Sequence, residues 1–137
     1  MLNEKGDTAI YLINAYARCK QVSAQAEVVA LAAGARDGVA VVPDDALEGH
    51  WKLAQHLIRF PTVVDAALED LLPSYLCEYC YQTASLYHEF YGDCRIISRP
   101  KDGPATVDVS RLLVTEATAK VLETCFQLIG LRFVDKM

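Results

Sequence analysis

Two apolar stripes run side by side down residues 109–129. One is Leu112, Ala119, Leu122, Phe126 and Ile129; the other is Val114, Ala117, Val121 and Leu128. Steps of three, four and seven put each set on one side of an α-helix, and together they make a face too wide for a single neighbour. Such a helix belongs in the middle of a bundle, so the feature predicts an all-α fold built around it. Asp108 stands where an N-cap is needed and Gly130 where a C′ residue closes a helix.

The chain before it reads the same way. A first helix is expected over residues 8–33, with Leu12, Tyr16, Cys19, Val22, Ala26, Val29 and Ala33 on its stripe, Asp7 as N-cap and Gly34 as stop. Residues 34–45 hold glycines and Pro43 and read as a loop. A second helix over residues 45–60 carries Trp51, Leu53, Ala54, Leu57 and Ile58. It should break at Phe60-Pro61, because a residue before proline is pushed out of the helical region. Pro61 then suits the first turn of a third helix, residues 61–72, and Pro73 that of a fourth, residues 73–91. The fourth has its stripe at Leu72, Leu76, Tyr79, Thr83, Leu86 and Phe90, and Gly92 ends it. Residues 93–107 read as a loop without a convincing strand pair. The expected architecture is an all-α bundle of about five helices, one domain over residues 1–137.

Composition narrows the function classes. At 137 residues the chain is domain-sized and can bury roughly two thirds of its extended surface without staples. A hydrophobic content of 53% with mixed charge makes it globular. The formal net charge of −5 argues against nonspecific nucleic-acid binding through a basic surface. It leaves room for a base-reading surface made of stacking rings and a few local cations. The opening MLNEKGDT has no secretory core, and the longest weakly polar run, residues 28–35, is too short to span a bilayer. Five cysteines at irregular spacing read as reduced thiols, which predicts a cytoplasmic protein with no membrane partner.

Few residues offer chemistry. Tyr87 and Tyr91 are four apart on the fourth helix, near its end and beside a polar loop. There they either present flat faces to unstacked bases or pack with only a hydroxyl at the surface. Tyr11, Asn14 and Arg18 share a narrow arc of the first helix. They form either a stacking, base-edge and phosphate set or an ordinary solvated face. Cys77 and Cys80, with His88 and Cys94 beyond, have a metal-ligand count. However, the pair sits inside a helix instead of on a turn, so small core residues are the default and no metal is expected. Glu116 falls on an apolar stripe and is read as a boundary carboxylate or the partner of an arginine such as Arg111. No Gly-rich loop opens a helix after a strand, and no nucleophile–base–orienter set is present, so no catalytic residue is expected.

Four motifs, spread over three segments, carry a resemblance. MLNEKGDTAIYLINAYARCKQV is similar to a family stretch in which a Gly-Asn/Asp-Thr segment leads into a Tyr-Leu-x-x-Ala-x-x-Arg helix. HWKLAQHLIRFPTVVDAALEDLLPSYLCEYCYQTASLYHEFYGDC resembles core helices with a Leu/Ile-Arg-Phe-Pro break and a Leu-Cys-Glu/Asp-Tyr start. RLLVTEATAKVLETCFQLIGLRFVDKM resembles the family's last helix and terminal methionine. In this order and spacing they are similar to the C-terminal, DALR-type anticodon-binding domain of arginyl-tRNA synthetase, nearest its eukaryotic cytosolic form. The resemblance implies a module that holds the anticodon loop of an arginine tRNA. The parent enzyme would use ATP in a separate catalytic domain; no cofactor and no DNA would be bound here. It also implies that Tyr11, Tyr87, Tyr91 and Met137 lie against the anticodon loop, with Asn14 and Arg18 beside them. Two alternatives are a DALR-type domain of another synthetase or orphan tRNA-binding protein, and a helical protein–protein interaction module.

Overall fold

A computed structural model describes residues 9–32, 51–98 and 105–132. Among them five helices follow in order: α1 Ala9–Ala32, α2 Trp51–Ile58, α3 Phe60–Glu69, α4 Ser74–Asp93 and α5 Val109–Ile129. The fold is all-α, as the stripes require. The expected cap at Asp7, the stop at Gly34, the 34–45 loop and the start of the second helix lie outside the described residues.

Helix α5 is the central member, packing against α1, α4 and α2. The Asp108 side chain accepts a hydrogen bond from the Arg111 N–H, which satisfies one of the orphan donors of the first turn. At the other end Gly130 takes φ 74°, where a side chain would be strained, and its N–H bonds back to the last carbonyls. The buried face of α5 is Thr115, Thr118, Ala119, Leu122, Cys125 and Phe126. It includes two threonines that apolar periodicity passes over. Each donates its hydroxyl to the carbonyl four residues back, Arg111 and Val114 respectively, and so enters the core without an unmet polar group. The second stripe is less covered than its width suggests, since Leu128 is 53% exposed. Glu116 faces solvent. Arg111 pairs instead with Asp108 at 3.1 Å and donates to the Arg95 carbonyl.

The core lies where α1, α4 and α5 meet. Tyr16 and Cys19 of α1, Cys80, Ala84, Tyr87 and Phe90 of α4, and Leu122, Cys125 and Phe126 of α5 form one cluster, with Leu53 of α2 closing it. Tyr16 meets Phe126 edge-on at 5.8 Å.

Helices α2 and α3 part at Arg59, with proline in the first turn of α3 as expected. The break falls one residue earlier than Phe60-Pro61, so Phe60 is already helical. Helix α4 continues through Gly92 to Asp93, since a single glycine weakens a helix without ending it. Beyond it the expected loop holds a short antiparallel pair, β1 Ile97–Ser98 and β2 Thr106–Val107, with Ile97 opposite Val107. This corrects the reading of 93–107 as strandless. With Ile96 buried at 4% exposure, the pair anchors the chain against α1 between the two long helices.

Candidate nucleic-acid interface

Helices α1 and α4 lie side by side, and their shared edge gathers polar and aromatic residues. Tyr11, half-buried, sits on α1 with its ring 5.4 Å from Tyr81 and 4.9 Å from His88, both on α4. Its hydroxyl lies 3.4 Å from the Ser85 hydroxyl. One turn on, Asn14 is exposed. One further turn on, the Arg18 guanidinium stands 5.1 Å from the centre of the Tyr91 ring, a cation–π geometry. Arg18 Nη1 donates to His88 Nδ1 at 3.5 Å.

Tyr11, Asn14, Ala17, Arg18, Gln21 and His88 line an open hollow of about 370 Å³ along this seam. A second, of about 300 Å³, is lined by Tyr91 together with Val22, Gln25 and Arg95, which adds a cation. The structure therefore brings Tyr11, Asn14 and Arg18 into one groove and sets Tyr91, 41% exposed, at its end.

Tyr87 is placed elsewhere. Its ring is 0% exposed and belongs to the core, which corrects the expectation that it offers a face to a base. Helix α4 buries Thr83, Ala84, Tyr87 and Phe90 in succession, so Tyr87 points into the bundle. Tyr91 comes one turn later and is only partly covered, beside Val22 and Gln25 of α1. The Tyr87 ring backs Tyr91 at a centroid distance of 6.2 Å. Burial pushes the Tyr87 phenol well above its ordinary range, with the neighbouring Cys19 adding to the rise. The same burial pushes the Cys19 thiol up to about 12, so neither ionises near neutrality. The Tyr87 hydroxyl sits between Cys19 and Thr115 without a hydrogen bond of good geometry. Met137 lies outside the described residues.

Sequence reasoning missed Tyr81, His88, Gln21 and Arg95. The first three line the same edge as Tyr11, but nothing local marks them. His88 meets Arg18 across 70 residues of chain. Its imidazole is held below the ordinary value, first by desolvation and then by the Arg18 charge, so it is neutral and can accept.

Cys77 and Cys80 diverge: Cys77 is exposed, while Cys80 is buried against Cys125, whose thiol contact raises its pKa further than burial does. Among the described residues no three His, Cys, Asp or Glu side chains converge as metal ligands would. Among the described residues the seam offers no nucleophile with a base. It has tilted rings, amide groups and two arginines, which suit unstacked bases and backbone phosphate.

Residues 12–137 match the DALR anticodon binding domain family. The chain is 35% identical over 139 residues to "Probable arginine--tRNA ligase, cytoplasmic" of Caenorhabditis elegans, covering 100% of the chain and 19% of that relative. It is 33% identical to "Arginine--tRNA ligase, cytoplasmic" of Gallus gallus, covering 21% of it, and 36% identical to "Arginine--tRNA ligase, chloroplastic/mitochondrial" of Arabidopsis thaliana, covering 20%. The chain thus spans about a fifth of the length of the curated relatives it matches.

Proposed function

We propose that this chain, which belongs to the family of DALR anticodon binding domains, holds the anticodon loop of an arginine tRNA for an arginine–tRNA ligase. The observation that carries the reading is the α1–α4 seam, where exposed Tyr91 and half-buried Tyr11 flank Asn14 and Arg18 along one groove. With a net charge of −5, long-range attraction to RNA is weak. Affinity then comes from short-range stacking, about 1–3 kcal/mol per base, and from contacts made by the rest of the parent enzyme. Tyr87 contributes from beneath, as the packed support of Tyr91. Met137 keeps its place in the proposal from the resemblance alone. The ATP-dependent joining of arginine to tRNA belongs to a catalytic domain of the parent, the second partner of this module. The names of the relatives support the choice of arginine, and most of those names support a cytoplasmic location.

The test is a titration of this chain with arginine tRNA and with a tRNA of another specificity. Preference for arginine tRNA is expected. Preference for the other tRNA would point to a DALR-type domain of a different synthetase. Binding of neither would sink the anticodon reading and favour a protein–protein module.

A further inference from the structure

Among the described residues Arg18 is the one cation lining the Tyr11–Asn14 groove, and it is held from two sides. An exposed arginine samples many rotamers, and fixing it on binding costs side-chain entropy. Here the Tyr91 ring takes one face of the guanidinium, and the His88 Nδ1 accepts from Nη1. The His88 ring is fixed in turn by Tyr11 at 4.9 Å, so the imidazole cannot swing away without losing that contact. Only a neutral ring with the proton on Nε2 leaves Nδ1 free to accept. Desolvation and the adjacent Arg18 both favour the neutral form.

We infer that His88 is a positioning residue of the seam: it holds the Arg18 guanidinium against Tyr91 in the orientation that meets an RNA phosphate, and links that cation to Tyr11 through its ring. The inference rests on the seam being the RNA surface and adds to it the residue that orders its cation before RNA arrives. A phosphate then meets a guanidinium whose freedom is already restricted. Tyr91, with Arg18 over its ring, also lines the Arg95 hollow, where a base can enter.

Two substitutions separate the ring from the acceptor. His88→Asn keeps an acceptor near the Nδ1 position; His88→Phe keeps ring packing against Tyr11 and removes the acceptor. Binding of arginine tRNA should weaken roughly two- to fivefold in His88→Phe, the scale of an exposed cation–π contact that is no longer held. It should recover most of that loss in His88→Asn. Arg18→Ala should weaken binding at least as much, and adding His88→Phe to it should weaken binding no further. Without RNA, nitrogen chemical shifts of His88 should show an unprotonated Nδ1, and Arg18→Ala should move that signal. His88→Phe binding like the parent chain while Arg18→Ala is impaired would overturn the positioning role and leave the seam intact. An unmoved His88 signal in Arg18→Ala would overturn it as well. If Arg18→Ala and Tyr91→Ala both bind like the parent chain, the seam itself is wrong, and this role of His88 falls with it.

Discussion

Tyr87 and Tyr91 are one helical turn apart on α4, yet one lies in the core and the other at the surface. Tyr87 is 0% exposed and packed among α1 and α5 residues; Tyr91 is 41% exposed under an arginine. Four residues turn a helix by only about 40° beyond a full circle, so the two rings share nearly one direction. What differs is how far each ring is covered. Tyr87 has Cys19 and Thr115 against it; Tyr91 lies at the rim, 41% exposed, while its neighbours Phe90 and Cys94 are still buried. The same residue type thus supplies stability in one turn and, in the next, the surface proposed to meet RNA.

The sharpest way to break this comparison is to truncate each ring. Tyr87→Ala empties a site at the centre of the core and should destabilise the fold by about 3–5 kcal/mol, the range for large aromatic truncations. Chemical denaturation measures this, and a loss under about 1 kcal/mol would show that the ring is not core. Tyr91→Ala should instead leave the denaturation midpoint nearly unchanged and weaken tRNA binding by about 1–3 kcal/mol. A Tyr91→Ala chain that melts early yet binds tRNA normally once folded would reverse the assignment of the two turns.

Why the sequence separates some parts of the molecule and not these two follows from the range of each signal. The caps at Asp108 and Gly130 and the break near Pro61 depend on a few adjacent residues, and the structure has them within one residue. The α1 stripe through Leu12, Tyr16, Cys19, Val22 and Ala26 is legible because it repeats over several turns, and all five are buried. The β1–β2 pair has two residues per strand, too few to show alternation. Periodicity cannot part Tyr87 from Tyr91, because a stripe gives direction around the axis and not how far the neighbouring elements cover each residue. His88 was hidden for another reason: its partners Tyr11 and Arg18 belong to a helix that only the tertiary fold brings alongside.

A third tyrosine sharpens the contrast. Tyr79 is buried at 4% exposure like Tyr87, but its hydroxyl donates to the His56 carbonyl at 2.8 Å, tying α4 to the end of α2. The same carbonyl also accepts from the Arg59 N–H at 3.1 Å, so Tyr79→Phe removes one of its two donors and should cost about 0.5–1.5 kcal/mol. His56 itself stacks on the Tyr79 ring at 4.3 Å and lies 2.9 Å from the Thr83 hydroxyl. That hydroxyl donates to the Tyr79 carbonyl, so it accepts from His56 Nε2.

The histidines give the comparison a pH axis. Desolvation is the first cause holding both His56 and His88 below the ordinary histidine value of 6.5, with Arg59 and Arg18 respectively adding to it. The unfolded chain therefore takes up these protons at higher pH than the folded one, and stability falls as the unfolded state binds more. Stability should be level above about pH 6.5, decline as pH drops through that value, and flatten again below the folded-state values. Denaturation midpoints between pH 8 and pH 5 test this, and His56→Gln should remove part of the slope. A midpoint that rises on acidification across this window would contradict the half-buried, neutral placement of both rings.

The smallest expected effect is the most discriminating between the two turns. Tyr87→Phe removes only a hydroxyl, and that hydroxyl is fully buried without a well-formed hydrogen bond. The neighbouring Thr115 hydroxyl already donates to the Arg111 carbonyl, so it loses nothing when the phenol goes. The folded state gives up a desolvated polar atom, and the ring keeps its contacts with Phe90 and Tyr91. The change should therefore lie between neutral and about 1 kcal/mol stabilising, opposite in sign to Tyr79→Phe in the same helix. Because Tyr87 only backs Tyr91, tRNA binding should also stay unchanged. A loss of more than about 1 kcal/mol in stability would mean that the hydroxyl has a partner, with Cys19 or Thr115 accepting from it. A loss of tRNA affinity at unchanged stability would mean that Tyr87 reaches RNA after all, and the division between the two turns of α4 would not hold.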